Sequence, residues 1–353
     1  MYVDHRSPAR TAAALVSVLV LVTALACGGA QPRQEAASAS QPVASVLTAA
    51  ERAAWYQECW GHFNNRAWEK YRACYADTVE SEQVGSGEPA ARGIEATLAV
   101  NRGFTEAFPD VKGSGELILV KGDAIVSVYV LNGTHTGPLL GPAGHSIPAT
   151  GKPIGVYQAH RIRTDALGSK VVEEEFYSDS GTMMTQLGLS PTPARPVLKS
   201  VAPSPMVVLA AGSPAELNNV ELMRAQMAAY NTHDLKGVDA YYAPDLVYHD
   251  LTAPQDLTFG QNSSATQEFF KAFPDAKLTP LKAWGAGDYV VVAGRFEGTN
   301  KGPMPAMGVK KATNKAVSAR YLDIARWEKG KIKEEWLFYD GMTMAQQLGL
   351  VKK

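Results

Sequence analysis

Along the chain, apolar positions recur first at helical spacing and then at strand spacing, and the sequence runs through this order twice. Residues 51–63 and 216–231 read as long helices. Each is opened by a hydroxyl residue with Glu three positions later: Thr48 with Glu51, and Ser213 with Glu216. Pro214 takes the first helical position of the second. Short helices follow at 68–75 and 236–242, then helices at 94–107 and 262–272. Strand-like runs come next, at 124–131, 154–162 and 171–177, and again at 289–296, 317–327 and 332–339. Helices segregated from a mostly antiparallel sheet predict an α+β class. A curved sheet wrapped around helices leaves one concave apolar pocket per copy.

An internal repeat underlies this pattern. Ala107-Phe108-Pro109-Asp110 recurs as Ala272-Phe273-Pro274-Asp275, Gly122-Asp123 as Gly287-Asp288, and Gly133-Thr134 as Gly298-Thr299, all 165 residues apart. Gln186-Leu187-Gly188 recurs as Gln347-Leu348-Gly349 at an offset of 161, which assigns a longer turn to the first copy at 163–169. The expected domains are 48–189 and 213–351. Between them, 190–212 carries five prolines and reads as a semi-extended linker without packing of its own.

The N-terminus has its own pattern. Arg6 and Arg10 precede an uncharged run over 11–26, and Ala24-Leu25-Ala26 leads into Cys27. This matches a basic n-region, a short apolar h-region and a small-residue cleavage site. The run is short for a membrane span. With Cys directly after Ala26, residues 1–26 resemble a bacterial lipoprotein signal, with Cys27 lipidated as the mature N-terminus. Residues 28–47, rich in Ala, Ser, Gln and Pro, then form a flexible tether. The expected address is the cell envelope, at the outer membrane if the cell is Gram-negative, with the lipid as the contact to membrane.

Charge narrows the partners. The 353 residues carry 34 Lys and Arg against 35 Asp and Glu, a formal net charge of −1, which argues against a nucleic-acid binder. The seven His and three Cys form no metal-site spacing, and no glycine-rich nucleotide loop or Gly-x-Ser-x-Gly elbow is present. Neither metal nor cofactor is expected. Cys59 and Cys74 either join the first two helices as a disulfide or are buried apolar residues.

Taken in order, Phe-Pro-Asp, Gly-Asp, Gly-Thr-His135, Thr150-Gly151-Lys152, Arg326 with Gly330-Lys331-Ile332, and an Asp before Gln-Leu-Gly resemble the SnoaL-like polyketide cyclase family of the nuclear transport factor 2-like superfamily. The resemblance covers both copies. It implies two tandem cone-shaped domains, each a curved mostly antiparallel sheet around its N-terminal helices, which pair with each other through their sheets. It also implies cyclase or isomerase chemistry without metal or cofactor, in which an acidic residue acts as base. Relatives that only bind ligands, or act as interaction modules, make a small-molecule binding protein the competing expectation.

The candidates follow. Alternation over 332–340 puts Ile332, Trp336, Phe338 and Asp340 on one face, so Asp340 reads either as a desolvated base or as the cap of the next helix. Asp179 is its counterpart, with Glu175 and Tyr177 on its face. His135 matches the Gly-Thr-His position and reads as an orienting or proton-transfer group, or as a turn histidine; copy two has Asn300 there. His249, Asn300, Asp323, Tyr129, Glu175 and Trp336 are expected to line pockets, with a surface loop as the alternative for His249 and a pair with Arg326 as the alternative for Asp323. The same is expected of the aromatics Tyr56, Trp60 and Tyr230, for which plain core is the alternative reading.

Overall fold

The computed structural model describes residues 45–86, 88–141, 145–190, 195–199, 204–251 and 253–350. The signal-like segment, Cys27 and the tether up to residue 44 lie outside the described residues. No described helix is long and apolar enough to cross a membrane.

Both anticipated capping boxes form. Thr48 and Glu51 open α1 (Ala49–Asn64), and Ser213 and Glu216 open α5 (Pro214–Asn231). The first half continues with α2 (Trp68–Ala73), β1 (Tyr75–Val84), β2 (Ala91–Arg92), α3 (Ile94–Ala107), β3 (Lys112–Lys121) and β4 (Ala124–Thr134). After a small ribbon of β5 (Leu139–Leu140) and β6 (Ser146–Ile147) come β7 (Pro153–Thr164), β8 (Val171–Ser178) and α4 (Ser180–Gln186). The second half repeats this order with α6 (Leu235–Asp239), β10 (Tyr242–Asp250), α7 (Phe259–Ala272), β11 (Lys277–Ala286), β12 (Tyr289–Thr299), β13 (Ala316–Glu328), β14 (Lys331–Tyr339) and α8 (Gly341–Leu348). The fold is α+β, with one main sheet per half. The pattern reading did not separate β1, β3, β10 and β11 as strands.

The remaining strand, β9 (Met206–Leu209), corrects the linker reading. It pairs in parallel with β3, from Leu117 opposite Met206 to Val120 opposite Leu209. The first sheet therefore runs β2-β1-β8-β7-β4-β3-β9, and the second β10-β14-β13-β12-β11. A strand ladder needs backbone N–H and C=O groups, and 206–209 is the stretch after Pro205 that holds no proline. Its occupation of the β3 edge removes an unpaired ladder from solvent.

The repeated motifs are stitches in this frame. Gly122 and Gly287, at φ of 58° and 53°, open two-residue hairpin turns whose first position needs positive φ. Asp110 accepts from the Thr134 amide at 2.6 Å and Asp275 from the Thr299 amide at 2.6 Å, so each Phe-Pro-Asp turn clips the far end of the long hairpin. A Cβ on Gly137 would lie 2.0 Å from the Glu106 carbonyl, which explains glycine at that position. Gln186 spans both backbone groups of Gly155 at 2.9 and 3.0 Å, and Gln347 those of Ser318 at 2.7 and 3.1 Å.

Three apolar clusters organise the interior. One lies between α1, α3 and the first sheet, a second between α5, α7 and the second sheet. The third joins the halves. Leu119, Val126, Val128 and Tyr177 of the first sheet pack with Val291, Leu322, Ile324, Trp336 and Phe338 of the second. Around it, Arg320 forms ion pairs with Glu82 and Glu175, the latter at 3.6 Å. Arg195 reaches Asp256 at 2.5 Å and the Asp250 carbonyl at 2.8 Å.

Candidate functional site

Ladder register gives an internal alignment of the two halves. Ser127 of β4 faces His160, and its counterpart Val292 of β12 faces Asp323. Ile162 faces Glu174, and Ala325 faces Glu335. Asn64 and Asn231 occupy matching places, since each clasps both backbone groups of Gly113 or Leu278. Thus Asp323 stands where the first half has His160, Glu335 where it has Glu174, Met227 where it has Trp60, and Gly294 where it has Tyr129.

These replacements decide which cone is open. In the first half, the Trp60 and Tyr129 rings lie 4.2 Å apart, centre to centre, and both pack on His160. Tyr56 adds its ring and bonds Ser127 at 2.8 Å through hydroxyls. Beneath them His160 Nδ1 lies 2.8 Å from a Glu174 carboxyl oxygen, both side chains being buried. Ser81 donates to the other Glu174 oxygen at 2.9 Å. The group is packed, and Glu174 finds its partners within it.

In the second half, a cavity of about 260 Å³ opens between α5, α7, the sheet and the turn around 303–307. Tyr230, Tyr242, Tyr248, Phe269, Phe296 and Tyr321 supply aromatic walls, and Met227, Met304, Met307 and Met344 fill between them. Asp323 and Glu335 form its polar spot. Strand alternation puts both on the helix-covered face, on adjacent strands one diagonal apart. Across this diagonal the two carboxyl groups act on one another. Gln226 donates to Tyr242 at 3.3 Å. Burial pushes Asp323 up to about 7; burial and the neighbouring Asp323 charge raise Glu335 further. The pair therefore holds a proton further up the pH scale than free carboxyl groups would. Asp323 Oδ1 and Glu335 Oε2 are buried without a hydrogen-bond partner.

Of the anticipated site residues, the cavity takes in Tyr230 and Asp323. Asp340 and Asp179 are elsewhere. Asp340 accepts from the Thr343 amide at 2.9 Å and caps α8; Asp179 accepts from the Thr182 amide at 3.0 Å and caps α4. Both lie outside the cavity lining. Burial pushes Asp179 up to about 6. The face shared by Trp336 and Phe338 is the one that packs between the halves, so Trp336 belongs to the shared core, and Glu175 pairs with Arg161 and Arg320 on that side. His249 points the same way. It stacks on Trp336 at 4.7 Å and bonds Asp256 at 2.8 Å and Glu334 at 3.2 Å.

His135 and Asn300 turn out to be one device. His135 Nδ1 accepts from the Thr150 amide at 3.2 Å, and Asn300 Oδ1 accepts from the Thr313 amide at 2.8 Å. Each is fully buried and ties its hairpin to the next strand. Burial lowers His135, which favours its neutral form. Tyr56, Trp60 and Tyr129 are the first half's packing, as described. Cys59 and Cys74 form a disulfide. Among the described residues, no group of His, Cys, Asp and Glu is arranged to hold a metal ion. Glu335 was missed, although period-two alternation from Asp323's partner strand was the signal that could have found it.

The two halves are thus duplicated α+β domains, one with aromatic rings packed against each other in its interior and one with a cavity between helices and sheet. A family model, SnoaL-like polyketide cyclase, matches residues 50–187 and 220–348, and the chain belongs to that family, carrying its domain twice. Among solved structures, one half at a time resembles AclR from Streptomyces galilaeus (22% identity, TM-score 0.36, 39% of this chain and 85% of that one). TsrD from Streptomyces laurentii is similar at 23% identity (TM-score 0.34, 39% and 98%), and IdmH from Streptomyces antibioticus at 26% (TM-score 0.34, 39% and 99%). No match was found among curated proteins.

Proposed function

We propose that this chain is an exported, lipid-anchored protein whose second half binds a small, mostly apolar molecule. The observation that carries the reading is the contrast between equivalent positions: Trp60 and Tyr129 fill one cone, and Met227 and Gly294 leave the other with a cavity that holds an acid pair. The domains act as a pseudo-dimer within one chain, supported by the apolar cluster shared by the sheets. Export is supported by the signal-like segment ending at Cys27, and the Cys59–Cys74 disulfide is of a kind that persists in oxidising compartments.

Isothermal titration with a panel of phenylalkyl alcohols, ketones and amines tests the binding. Wild type is expected to bind at least one member, and Met227→Trp, which restores the first half's plug, to bind none. Ala319→Phe plugs from the opposite wall and guards against a folding defect in the first variant. Binding by neither wild type nor variants, or equal binding by all, refutes the reading. Labelled-palmitate incorporation that persists in Cys27→Ala refutes the anchor.

A second reading is a cofactor-free enzyme of the cyclase or isomerase type. It is favoured by Asp323, held near the pH at which a carboxylate can both take and return a proton. In this reading the base is Asp323, not the capping Asp340 or Asp179. Deuterium exchange next to the carbonyl of a bound ketone, seen by NMR and lost in Asp323→Asn, supports it; a bound ketone that does not exchange removes it.

A further inference from the structure

We infer that the ligand of the second cone is an organic cation: a protonated amine on an apolar body, its ammonium group seated on Asp323 and Glu335. The inference rests on the binding reading above and adds the chemical class.

The first argument is internal to the chain. At the matching position in the filled cone, the protein itself supplies partners to Glu174: His160 Nδ1 at 2.8 Å and the Ser81 hydroxyl at 2.9 Å. In the open cone the residue in the place of His160 is Asp323, a second acid where the first half has an imidazole donor. A buried carboxylate without donors is costly, and a ligand ammonium would supply the donors that the first half keeps within itself.

The second argument is the charge around the cavity. The ionisable side chains lining it, apart from tyrosines, are Asp250, Glu268, Asp323, Glu335 and Arg320. The single base among them, Arg320, is engaged by Glu82 and Glu175 across the junction of the halves. An anionic ligand would meet repulsion with no free base to hold it.

The third argument is the match of donors and walls. Asp323 Oδ1, Glu335 Oε2 and the Tyr321 hydroxyl are buried polar atoms of lining residues without hydrogen-bond partners. A primary ammonium carries three donors and no acceptor. The two orphaned carboxyl oxygens are suited to receive them. The rings of Tyr230, Tyr242, Tyr248, Phe296 and Tyr321 line the same space, and aromatic faces favour a desolvated cation.

The test compares three probes that share one body: 4-phenylbutylamine, 4-phenylbutanol and 4-phenylbutyrate. Each is titrated into the full chain at pH 7.5 by calorimetry, in phosphate and in HEPES, whose ionisation heats differ. The amine is expected to bind at least about tenfold more tightly than the alcohol, the difference one good charge-assisted contact makes, and the carboxylate most weakly. Amine binding favours the ionised acid pair, so protons should be released. Asp323→Asn and Glu335→Gln should each remove the amine's advantage over the alcohol titrated into the same variant. If the alcohol binds as tightly as the amine, or if binding takes protons up, the cation is refuted while the cavity reading stands. If none of the three binds wild type, the cavity reading itself fails.

Discussion

Replacing Asp323 by Asn should stabilise the protein at pH 8 and leave it nearly unchanged at pH 4. Asp323 is buried beside Glu335, and burial pushes it from the ordinary 3.8 up to about 7. A carboxyl group with a raised folded-state pKa binds more protons folded than unfolded. Its contribution is therefore most favourable below about 4, and stability is lost as pH rises through about 7. A shift of some three units at about 1.4 kcal/mol each sets a ceiling of about 4 kcal/mol on the destabilisation present at pH 8. Asn keeps the shape and cannot ionise, so it removes that cost. For a unit of about 300 residues, an unfolding entropy near 2 cal/mol/K per residue converts 4 kcal/mol into about 6 °C. Thermal unfolding followed by circular dichroism at pH 4, 6 and 8 reads the effect. The melting-point advantage of Asp323→Asn should grow over that range toward this ceiling. An advantage that stays constant with pH, or a variant that melts lower at pH 8, would refute the description of the acid pair.

Three further outcomes follow from other contacts. Cys59→Ser should lower stability by about 3 kcal/mol, the usual effect of opening a loop of about 15 residues, and a reducing agent should lower wild type to the same urea midpoint. His249→Ala leaves Asp256 and Glu334 short of a partner and uncovers Trp336, and should cost about 3 kcal/mol in urea unfolding. Although burial alone would lower His249, its two carboxylate partners raise it, so this contribution is full below the unfolded value near 6.5 and fades as pH rises through the folded one. Asp340→Ala should cost about 1 kcal/mol, the value of a helix cap, and leave phenylalkyl ligand affinity unchanged; a large loss of affinity would return Asp340 to the site.

The fold was legible because the residues that encode it are local and recur. Phe-Pro-Asp, Gly-Asp and Gln-Leu-Gly each stitch backbone to backbone, and the motif spacing carries that geometry without reference to any pocket. The same fact gives the motif residues a structural task of their own. His135, Asn300, Asp179 and Asp340 occupy motif positions, and each commits a polar atom to the frame. Strand alternation holds for Trp336 and Phe338, which share a face, but a register shift between Ile332 and Glu334 puts Ile332 on the opposite face, in the helix-covered core of the second half. Which face met the helices depended on the pairing of the two sheets, a long-range contact that periodicity does not encode. β9 escaped because its four residues sit in a proline-rich stretch and acquire strand character from the β3 edge alone.

Duplication explains how one cone could lose its interior and the other keep it. Two sheets packed face to face need only their outer faces to stay apolar: Leu119, Val126 and Val128 on one side, Val291, Leu322 and Ile324 on the other. The inner faces are then released from each other. In the first half Trp60, Tyr129 and the His160–Glu174 pair pack the interior. In the second, Met227 and Gly294 take smaller volumes at the same places, and Asp323 replaces the imidazole beside Glu335. Three positions thus separate a packed core from an open pocket with an acid pair. A chain that exchanged them, with Trp60→Met, Tyr129→Gly and His160→Asp in the first half, should lose several kcal/mol through the cavity it creates. If the internal alignment is right, it should also gain a second acidic pocket, seen as a doubled binding stoichiometry. A stoichiometry that stays at one in a folded exchange variant would show that the alignment omits part of what keeps the second cone open.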